Sequence, residues 1–260
     1  MSGERDFNFI DVILVIDSTG SMQQWINCAK NTLINSFTDI RKEYPNSNIR
    51  LGLVCYRDIL DEERFITSDL TENVQIIQDI LKNVKAKGGD DTAEDVAGAL
   101  EKVIELFKKD SNENTLKIVL FVTDAPCHGL RYHHITVDDR FPNGDPQGKE
   151  PYEQIKELVN MNTDITIFRI NSRIDKMIEE FQDAFIGSRS TLTVLNLESQ
   201  DKSPISTISS SLSVLNGFID LSDWNYEYSS SETSHEKTFR EATFNSIFGS
   251  IQRKLDKSLI

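Results

Sequence analysis

The segment Asp11-Val-Ile-Leu-Val-Ile-Asp17 joins an uninterrupted apolar run to a terminal aspartate. Such a run is typical of a strand that is buried on both faces, as in a parallel sheet covered by helices. The segment Leu116–Asp124 repeats the pattern, because its apolar residues end in Thr123-Asp124. Two buried strands with acidic ends predict an α/β protein whose polar site lies at the ends of the strands.

Strands and helices alternate around these two segments as far as residue 215. The predicted strands are 11–17, 49–56, 64–67, 116–124, 164–170 and 191–197. The short, polar-flanked segment 64–67 is predicted as an edge strand, antiparallel to its neighbour. The predicted helices are 21–44, 74–84, 92–108, 151–160, 173–186 and 203–215. This order predicts a doubly wound α/β fold with a mostly parallel six-stranded sheet flanked by helices.

The alternation ends after residue 215. Residues 221–228 are strand-like, and 239–260 carry the pattern of an amphipathic helix. We therefore divide the chain into a domain at 1–215 and a C-terminal extension at 216–260.

The overall charge of the chain limits the classes of function. A net charge of −14 argues against nucleic-acid binding, because the neutralisation of phosphates requires clusters of Lys and Arg. No apolar run reaches the length of a membrane span, and the polar N-terminus lacks a signal region. Three widely spaced cysteines (Cys28, Cys55 and Cys127) fit a reducing compartment better than a disulfide scaffold. We expect a cytoplasmic, acidic and monomeric protein.

Three loops at the predicted strand ends offer oxygen ligands for a cation. The first is Asp17-Ser-Thr-Gly-Ser21, in which Asp17, Thr19 and Ser21 alternate; the second is Gly88-Gly-Asp-Asp-Thr92, and the third contains Asp124. Carboxylates and hydroxyls without imidazole or thiolate are the ligands of a hard cation. Few protein ligands with room for water favour Mg²⁺, with Mn²⁺ or Ca²⁺ as alternatives. Each loop alone fits ordinary helix capping, but three at successive strand ends predict a metal site.

These motifs resemble the metal-ion-dependent adhesion site of von Willebrand factor A (vWA) domains. Asp17, Thr19 and Ser21 are similar to its Asp-x-Ser-x-Ser element, with Thr in place of the first Ser, and Asp124 is similar to its last aspartate. The middle element departs from the family pattern, and either Asp91 or Thr92 fits it.

Over residues 8–200, the sequence resembles a narrower group of vWA domains. The segments Gly-Gly-Asp-Asp-x-x-Glu-Asp-Val96, Thr-Asp-Ala-Pro-Cys-His-Gly129 and Phe141-Pro-Asn-Gly-Asp-Pro-x-Gly148 look like the A domains that accompany alpha-type protein kinases. No glycine-rich nucleotide loop with a following strand lysine is visible in the sequence. The resemblance implies a non-enzymatic binding module, tied to protein-kinase signalling, whose cation is completed by an acidic residue of a protein partner.

Three other interpretations have less support. A Mg²⁺-dependent phosphohydrolase would use Asp17 as its nucleophile, but Thr19 stands where a second acid would be needed. A scaffold with a non-functional metal site conflicts with the intact ligand residues. Cys127-His128 and His133-His134 carry ligands that suit zinc, but their spacing matches no familiar finger, so we expect a structured loop there. Trp25 is expected to pack in the core.

Overall fold

Six strands and six α-helices make up most of the described part of the chain. The computed structural model describes residues 7, 9–109, 115–197 and 232–257. Its strands are β1 (Phe9–Asp17), β2 (Asn48–Tyr56), β3 (Phe65–Thr71), β4 (Thr115–Thr123), β5 (Thr163–Arg169) and β6 (Leu192–Asn196). Its helices are α1 (Gln23–Glu43), α2 (Val74–Asn83), α3 (Val96–Lys109), α4 (Pro151–Asn160), α5 (Asp175–Asp183) and α6 (Ser234–Lys257).

The strands form one six-stranded sheet in the order β3-β2-β1-β4-β5-β6. Strand β3 pairs antiparallel with β2, and the other neighbouring strands are parallel. The predicted α/β fold, with an antiparallel edge strand, is therefore confirmed. Because the chain moves outward from β1 to β2 and later returns to the other side of β1 as β4, the strand order reverses between β1 and β4. In open α/β sheets, ligands bind at the carboxyl ends of the strands beside this reversal.

Alternate residues of β1 contribute to two separate hydrophobic cores. Ile10, Val12, Leu14 and Ile16 belong to the core that includes residues of α1, α2 and α6. Ile13 and Val15 belong to the core that includes residues of α3, α4 and α5. The strand is buried on both faces because helices cover both faces, which is the arrangement that its continuous apolar run predicts.

Helix α3 begins four residues later than the sequence pattern predicts. The backbone N–H groups of Thr92 and Ala93 donate to the carbonyl of Asp138 at 3.0 and 3.2 Å. The N–H of Glu94 donates to the carbonyl of Pro126 at 2.9 Å. These contacts fix the backbone before Val96 in a non-helical conformation, so the helix does not start at Thr92.

Helix α6 packs against the domain and begins at Ser234, five residues before the predicted start. Phe239, Ile247 and Ile251 are buried in the core that contains α1. The predicted helix at 203–215 and the strand-like segment at 221–228 lie outside the described residues. The proposed boundary at residue 215 remains a prediction.

Helix α1 buries the tryptophan that the sequence predicts to be in the core. Trp25 is 5% exposed and makes an edge-to-face contact with the ring of His235. Among the helices of the described ranges, none has the length and apolar character needed to cross a bilayer.

Candidate metal centre at the strand ends

The carboxyl ends of β1 and β4 bring the first and third predicted loops together. Asp17 is the last residue of β1, and Asp124 follows the last residue of β4. The Asp17 side chain is fully buried, and Asp124 is 7% exposed. The Thr123 hydroxyl donates to Oδ2 of Asp17 at 3.4 Å, across the gap between the two strands. The two aspartates therefore share one pocket of low solvent access.

The first loop folds around the Asp17 carboxylate. The backbone N–H of Thr19 donates to Oδ1 of Asp17 at 2.8 Å, and the Thr19 hydroxyl donates to the same oxygen at 2.7 Å. Thr19 is 3% exposed, whereas Ser21, in the helical turn Gly20–Met22, is exposed to solvent. The predicted alternation thus places Asp17 and Thr19 inside the pocket and Ser21 at its rim.

The second loop reaches the site because it contains two glycines. Gly88 and Gly89 adopt positive φ angles of 81° and 76°, which L side chains rarely adopt. The Gly20 N–H donates to the Gly88 carbonyl at 3.3 Å, which connects the first and second loops. A Cβ atom on Gly89 would lie 2.5 Å from Oε1 of Glu94 and 3.0 Å from Cβ of Thr19. Glycine is required here because the backbone passes directly over both side chains.

Glu94 is a candidate ligand that the sequence analysis did not single out. Its side chain is 3% exposed, and its Oε2 atom has no hydrogen-bond partner among the described residues. Its backbone pairs with Cys127 of the third loop. Glu94 stands two residues before α3, next to Asp95, whose carboxylate accepts from the Gly98 N–H, so an acidic residue here also fits ordinary helix capping and the sequence does not distinguish Glu94.

Asp91 and Thr92, the two predicted candidates of the middle loop, lie against a different segment. The Asp91 carboxylate accepts a hydrogen bond from the backbone N–H of Arg140 at 2.6 Å. Asp91 also lies within 4.8 Å of ligand atoms of His128 and Asp139. The Thr92 N–H donates to the Asp138 carbonyl. The inserted loop after β4 therefore holds both residues, whereas Glu94 faces Thr19.

Burial and mutual repulsion raise the pKa values of acidic side chains in the candidate site. Burial, followed by the charge of Asp124, raises the pKa of Asp17 to about 7, although hydrogen bonds from Thr19 and Thr123 oppose the shift. Burial, followed by the charges of Asp17 and other nearby aspartates, raises the pKa of Glu94 to about 10. A divalent cation removes this penalty by placing positive charge among the carboxylates. The unpartnered oxygen of Glu94 and the all-oxygen donor set both fit such an ion.

Fold and pocket together define a class of protein, the doubly wound α/β domains with an acidic, hydroxyl-bearing pocket at the strand reversal. Within that class, residues 12–126 match the family model described as von Willebrand factor type A domain. This match supports a vWA domain within the chain. Its vWA domain is of a type that commonly serves as a protein-interaction module.

Comparison with known proteins supports the same assignment. The chain is 25% identical over 175 residues to the alpha-protein kinase vwkA of Dictyostelium discoideum, covering 67% of this chain and 27% of the kinase. It is 27% identical over 121 residues to a putative ariadne-like RING finger protein of Acanthamoeba polyphaga mimivirus, covering 46% of this chain and 11% of that protein. The chain thus spans about a quarter or less of the length of these relatives.

Two solved structures share the fold at low sequence identity. The VWA domain of SpRpn10 aligns with a TM-score of 0.50 and 14% identity, covering 72% of this chain and 86% of that domain. The pilus adhesin SpaC of Lactobacillus rhamnosus GG aligns with a TM-score of 0.56 and 12% identity, covering 95% of this chain and 31% of the adhesin.

Proposed function

We propose that the domain is a metal-dependent protein-interaction module that docks an acidic residue of a partner protein onto a bound Mg²⁺ ion. The proposed ligands are Asp17 and Asp124, the hydroxyls of Thr19 and Ser21, and Glu94 in place of Asp91 or Thr92. The observation that carries the proposal is the convergence of three buried carboxylates on one pocket whose charge is not balanced internally. Mn²⁺ or Ca²⁺ can take the same oxygen ligands.

The position of Ser21 supports docking rather than a closed structural ion. Ser21 is exposed while Asp17 is fully buried, so the pocket opens toward solvent on the side of the first loop. A hard cation with few protein ligands keeps exchangeable positions, which a carboxylate from another molecule can occupy. The name of the Dictyostelium relative, an alpha-protein kinase, supports a place for the module in protein-kinase signalling.

The contacts of Asp17 favour binding over phosphoryl chemistry. A nucleophilic aspartate requires a free oxygen and a second acid or base nearby. Oδ1 of Asp17 accepts two hydrogen bonds from Thr19, the residue that stands where that second acid would be. We therefore propose no enzymatic activity for this site.

Removal of one ligand tests the metal. We expect Mg²⁺ to raise the melting temperature of the 260-residue chain, because an ion that binds only the folded state stabilises it by mass action, by about 2.7 kcal/mol at a hundredfold excess over Kd. Asp124→Asn keeps the shape of the side chain and removes its charge, so the shift should be lost. Asp138→Asn changes an exposed aspartate of the neighbouring loop and serves as the control. Equal Mg²⁺-dependent shifts in wild type and Asp124→Asn would refute the metal assignment.

A small carboxylate tests the docking position. With Mn²⁺ in the site, water bound to the ion enhances the relaxation of solvent protons. Acetate should lower this enhancement by displacing the water, and Asp124→Asn should show neither effect. An enhancement that acetate leaves unchanged while Mn²⁺ stays bound would contradict partner docking and favour the scaffold interpretation.

A further inference from the structure

Five ionisable side chains beside the candidate metal centre form a second group, which we call the histidine cluster. It consists of Asp58, Asp91, His128, His133 and Asp139. Three different loops supply them, after β2, before α3 and after β4. Asp58, His128 and His133 are 2%, 4% and 1% exposed. A buried group of this composition must balance its charge internally or with a bound ion.

The two ring nitrogens of His128 both face carboxylate oxygens. Nε2 lies 2.8 Å from Oδ1 of Asp58, and Nδ1 lies 2.7 Å from Oδ1 of Asp139. A neutral imidazole has a single N–H group. One of these contacts therefore requires either a second proton on the ring or a cation beside the unprotonated nitrogen.

Asp139 is well placed to accept the Nδ1–H of His128. The backbone N–H groups of Gly129 and Phe141 donate to Asp139 at 2.9 and 2.7 Å, and Nε2 of His133 lies 2.8 Å from its Oδ2 atom. A carboxylate held this firmly is suited to accept the Nδ1–H of His128. Metal-binding histidines characteristically donate their second N–H to such a carboxylate. Nε2 of His128, which faces Asp58, then carries the lone pair that can bind a metal.

Two unsatisfied oxygens lie on the Nε2 side of the ring. Oδ2 of Asp58 and Oδ1 of Asp91 are buried and accept no hydrogen bond from the described residues. The two carboxyl groups nevertheless lie against each other. Two carboxylates in contact need a proton or a cation between them.

We infer that the histidine cluster is a second divalent-metal site, selective for Zn²⁺, in which Asp58, Asp91 and Nε2 of His128 bind the ion and Asp139 orients the imidazole. Nε2 of His128 already lies 2.8 Å from Oδ1 of Asp58, and ligand atoms of Asp91, His128 and the orienting Asp139 lie within 4.8 Å of one another. One imidazole with carboxylates is a ligand set for Zn²⁺, whereas Mg²⁺ prefers oxygen alone. The chain therefore carries two neighbouring sites of different metal preference.

The sequence predicts merely a structured loop at residues 127–134, whereas the histidine cluster gives His128 and His133 roles beside a metal. Of the four residues that the sequence offers as zinc ligands, only His128 faces the proposed ion, and His133 supports Asp139. Cys127 is buried in the apolar core, and His134 is exposed. The ligands that complete the site are aspartates from two other loops, which no spacing in the sequence connects to His128.

Zinc titration of the full chain in excess Mg²⁺ tests the inference. Wild type should bind one Zn²⁺ in competition with a chromophoric chelator, and Co²⁺ in its place should give visible absorption of a nitrogen-containing site. His128→Gln should abolish binding. Asp91→Asn, at a half-buried position, should weaken it at least tenfold. Asp139→Asn should weaken it by about tenfold to a hundredfold, as for other residues that orient a metal-binding histidine.

Two controls separate this site from the first one. Asp90→Asn changes the exposed neighbour of Asp91 and should bind Zn²⁺ like wild type. Asp124→Asn disables the proposed Mg²⁺ site and should also bind Zn²⁺ like wild type, so each site can fail independently. Melting curves without metal identify any variant that fails to fold, and Asp91→Asn carries the test if His128→Gln unfolds. A wild-type chain that takes up no Zn²⁺, or Asp91→Asn with unchanged affinity, would overturn the inference and leave His128 as an imidazolium in an ion-pair network.

Discussion

At the residue scale, the Asp17 carboxyl group couples the stability of the metal-free chain to pH. Its pKa is raised from 3.8 to about 7, so the folded chain keeps a proton that the unfolded chain loses in this interval. The free energy of unfolding therefore falls as the pH rises from about 4 to about 7. Mg²⁺ reverses the balance, because the bound ion favours the ionised carboxylate.

Comparison with Asp17→Asn isolates this contribution. We expect the wild type without metal to lose on the order of a few kcal/mol more stability than Asp17→Asn between about pH 4 and pH 7. Urea unfolding at a series of pH values measures the difference, and excess Mg²⁺ should reduce it. Parallel pH profiles for the two chains would contradict the buried, proton-retaining state of Asp17.

Gly89 affects both the backbone conformation of the second loop and the position of the proposed ligands Glu94 and Thr19. Gly89→Ala forces a Cβ atom into the space occupied by Glu94 and Thr19. It also strains a backbone with φ of 76°, at a cost of about 1–3 kcal/mol. We expect both lower stability and weaker Mg²⁺ binding.

Gly148→Ala separates the two effects of the Gly89 substitution. Gly148 has φ of 74°, and a Cβ atom added there would meet nothing within 4 Å. This variant should carry the backbone strain while binding Mg²⁺ like wild type. Calorimetric titration of both variants measures the affinities, and equal affinities would show that the close approach at Gly89 is not needed for the site.

At the scale of elements, the sequence predicts a strand or helix correctly where a local pattern determines the backbone path. It fails where contacts with distant residues determine that path. The apolar runs predict β1 and β4 because burial on both faces leaves a continuous signature in the chain. The start of α3 was predicted too early, since the carbonyls of Pro126 and Asp138 accept from the N–H groups of Thr92 to Glu94 and keep them out of the helix. No periodicity in residues 88–96 reveals those partners.

The same limit applies to the candidate site. Asp17 and Asp124 stand at strand ends, and parallel pairing of β1 with β4 brings strand ends together. The middle loop is different, because Asp91 accepts a hydrogen bond from the Arg140 N–H of the inserted loop, whereas the backbone of Glu94 pairs with Cys127. Those contacts join residues that are about thirty to fifty positions apart, so the order of the loop alone does not distinguish Asp91, Thr92 and Glu94.

Helix α6 contributes to the stability of the domain through Phe239. Its ring is fully buried and makes an edge-to-face contact with Phe168 at 5.5 Å between centroids. Phe239→Ala should lower the free energy of unfolding by about 3–5 kcal/mol, the range for the removal of a large core ring. Thr238→Ala, at an exposed position of the same helix, should change it by about 0.5 kcal/mol or less. Urea unfolding distinguishes the two, and a similar small loss in both would contradict the docking of α6.

At the scale of the whole molecule, the negative charge of the chain is related to its proposed binding of cations. The chain carries a net charge of −14, and several of its buried carboxylates converge on two neighbouring pockets. Glu94 adjoins both pockets. The charge of Asp17 in the first pocket and the charges of Asp58 and Asp91 in the second all raise its pKa. One buried acidic residue therefore borders both proposed ions.

The alternation of β1 between two cores constrains how this domain can diverge over time. A single-residue insertion or deletion within the strand would exchange the residues of the two cores and turn Asp17 away from the pocket at once. No single compensating substitution could repair both faces. Changes of length are instead expected to accumulate in surface connections such as residues 140–150, which lie beyond the end of β4. Related domains should therefore differ in the rim around the pocket far more than in the strand that supports it.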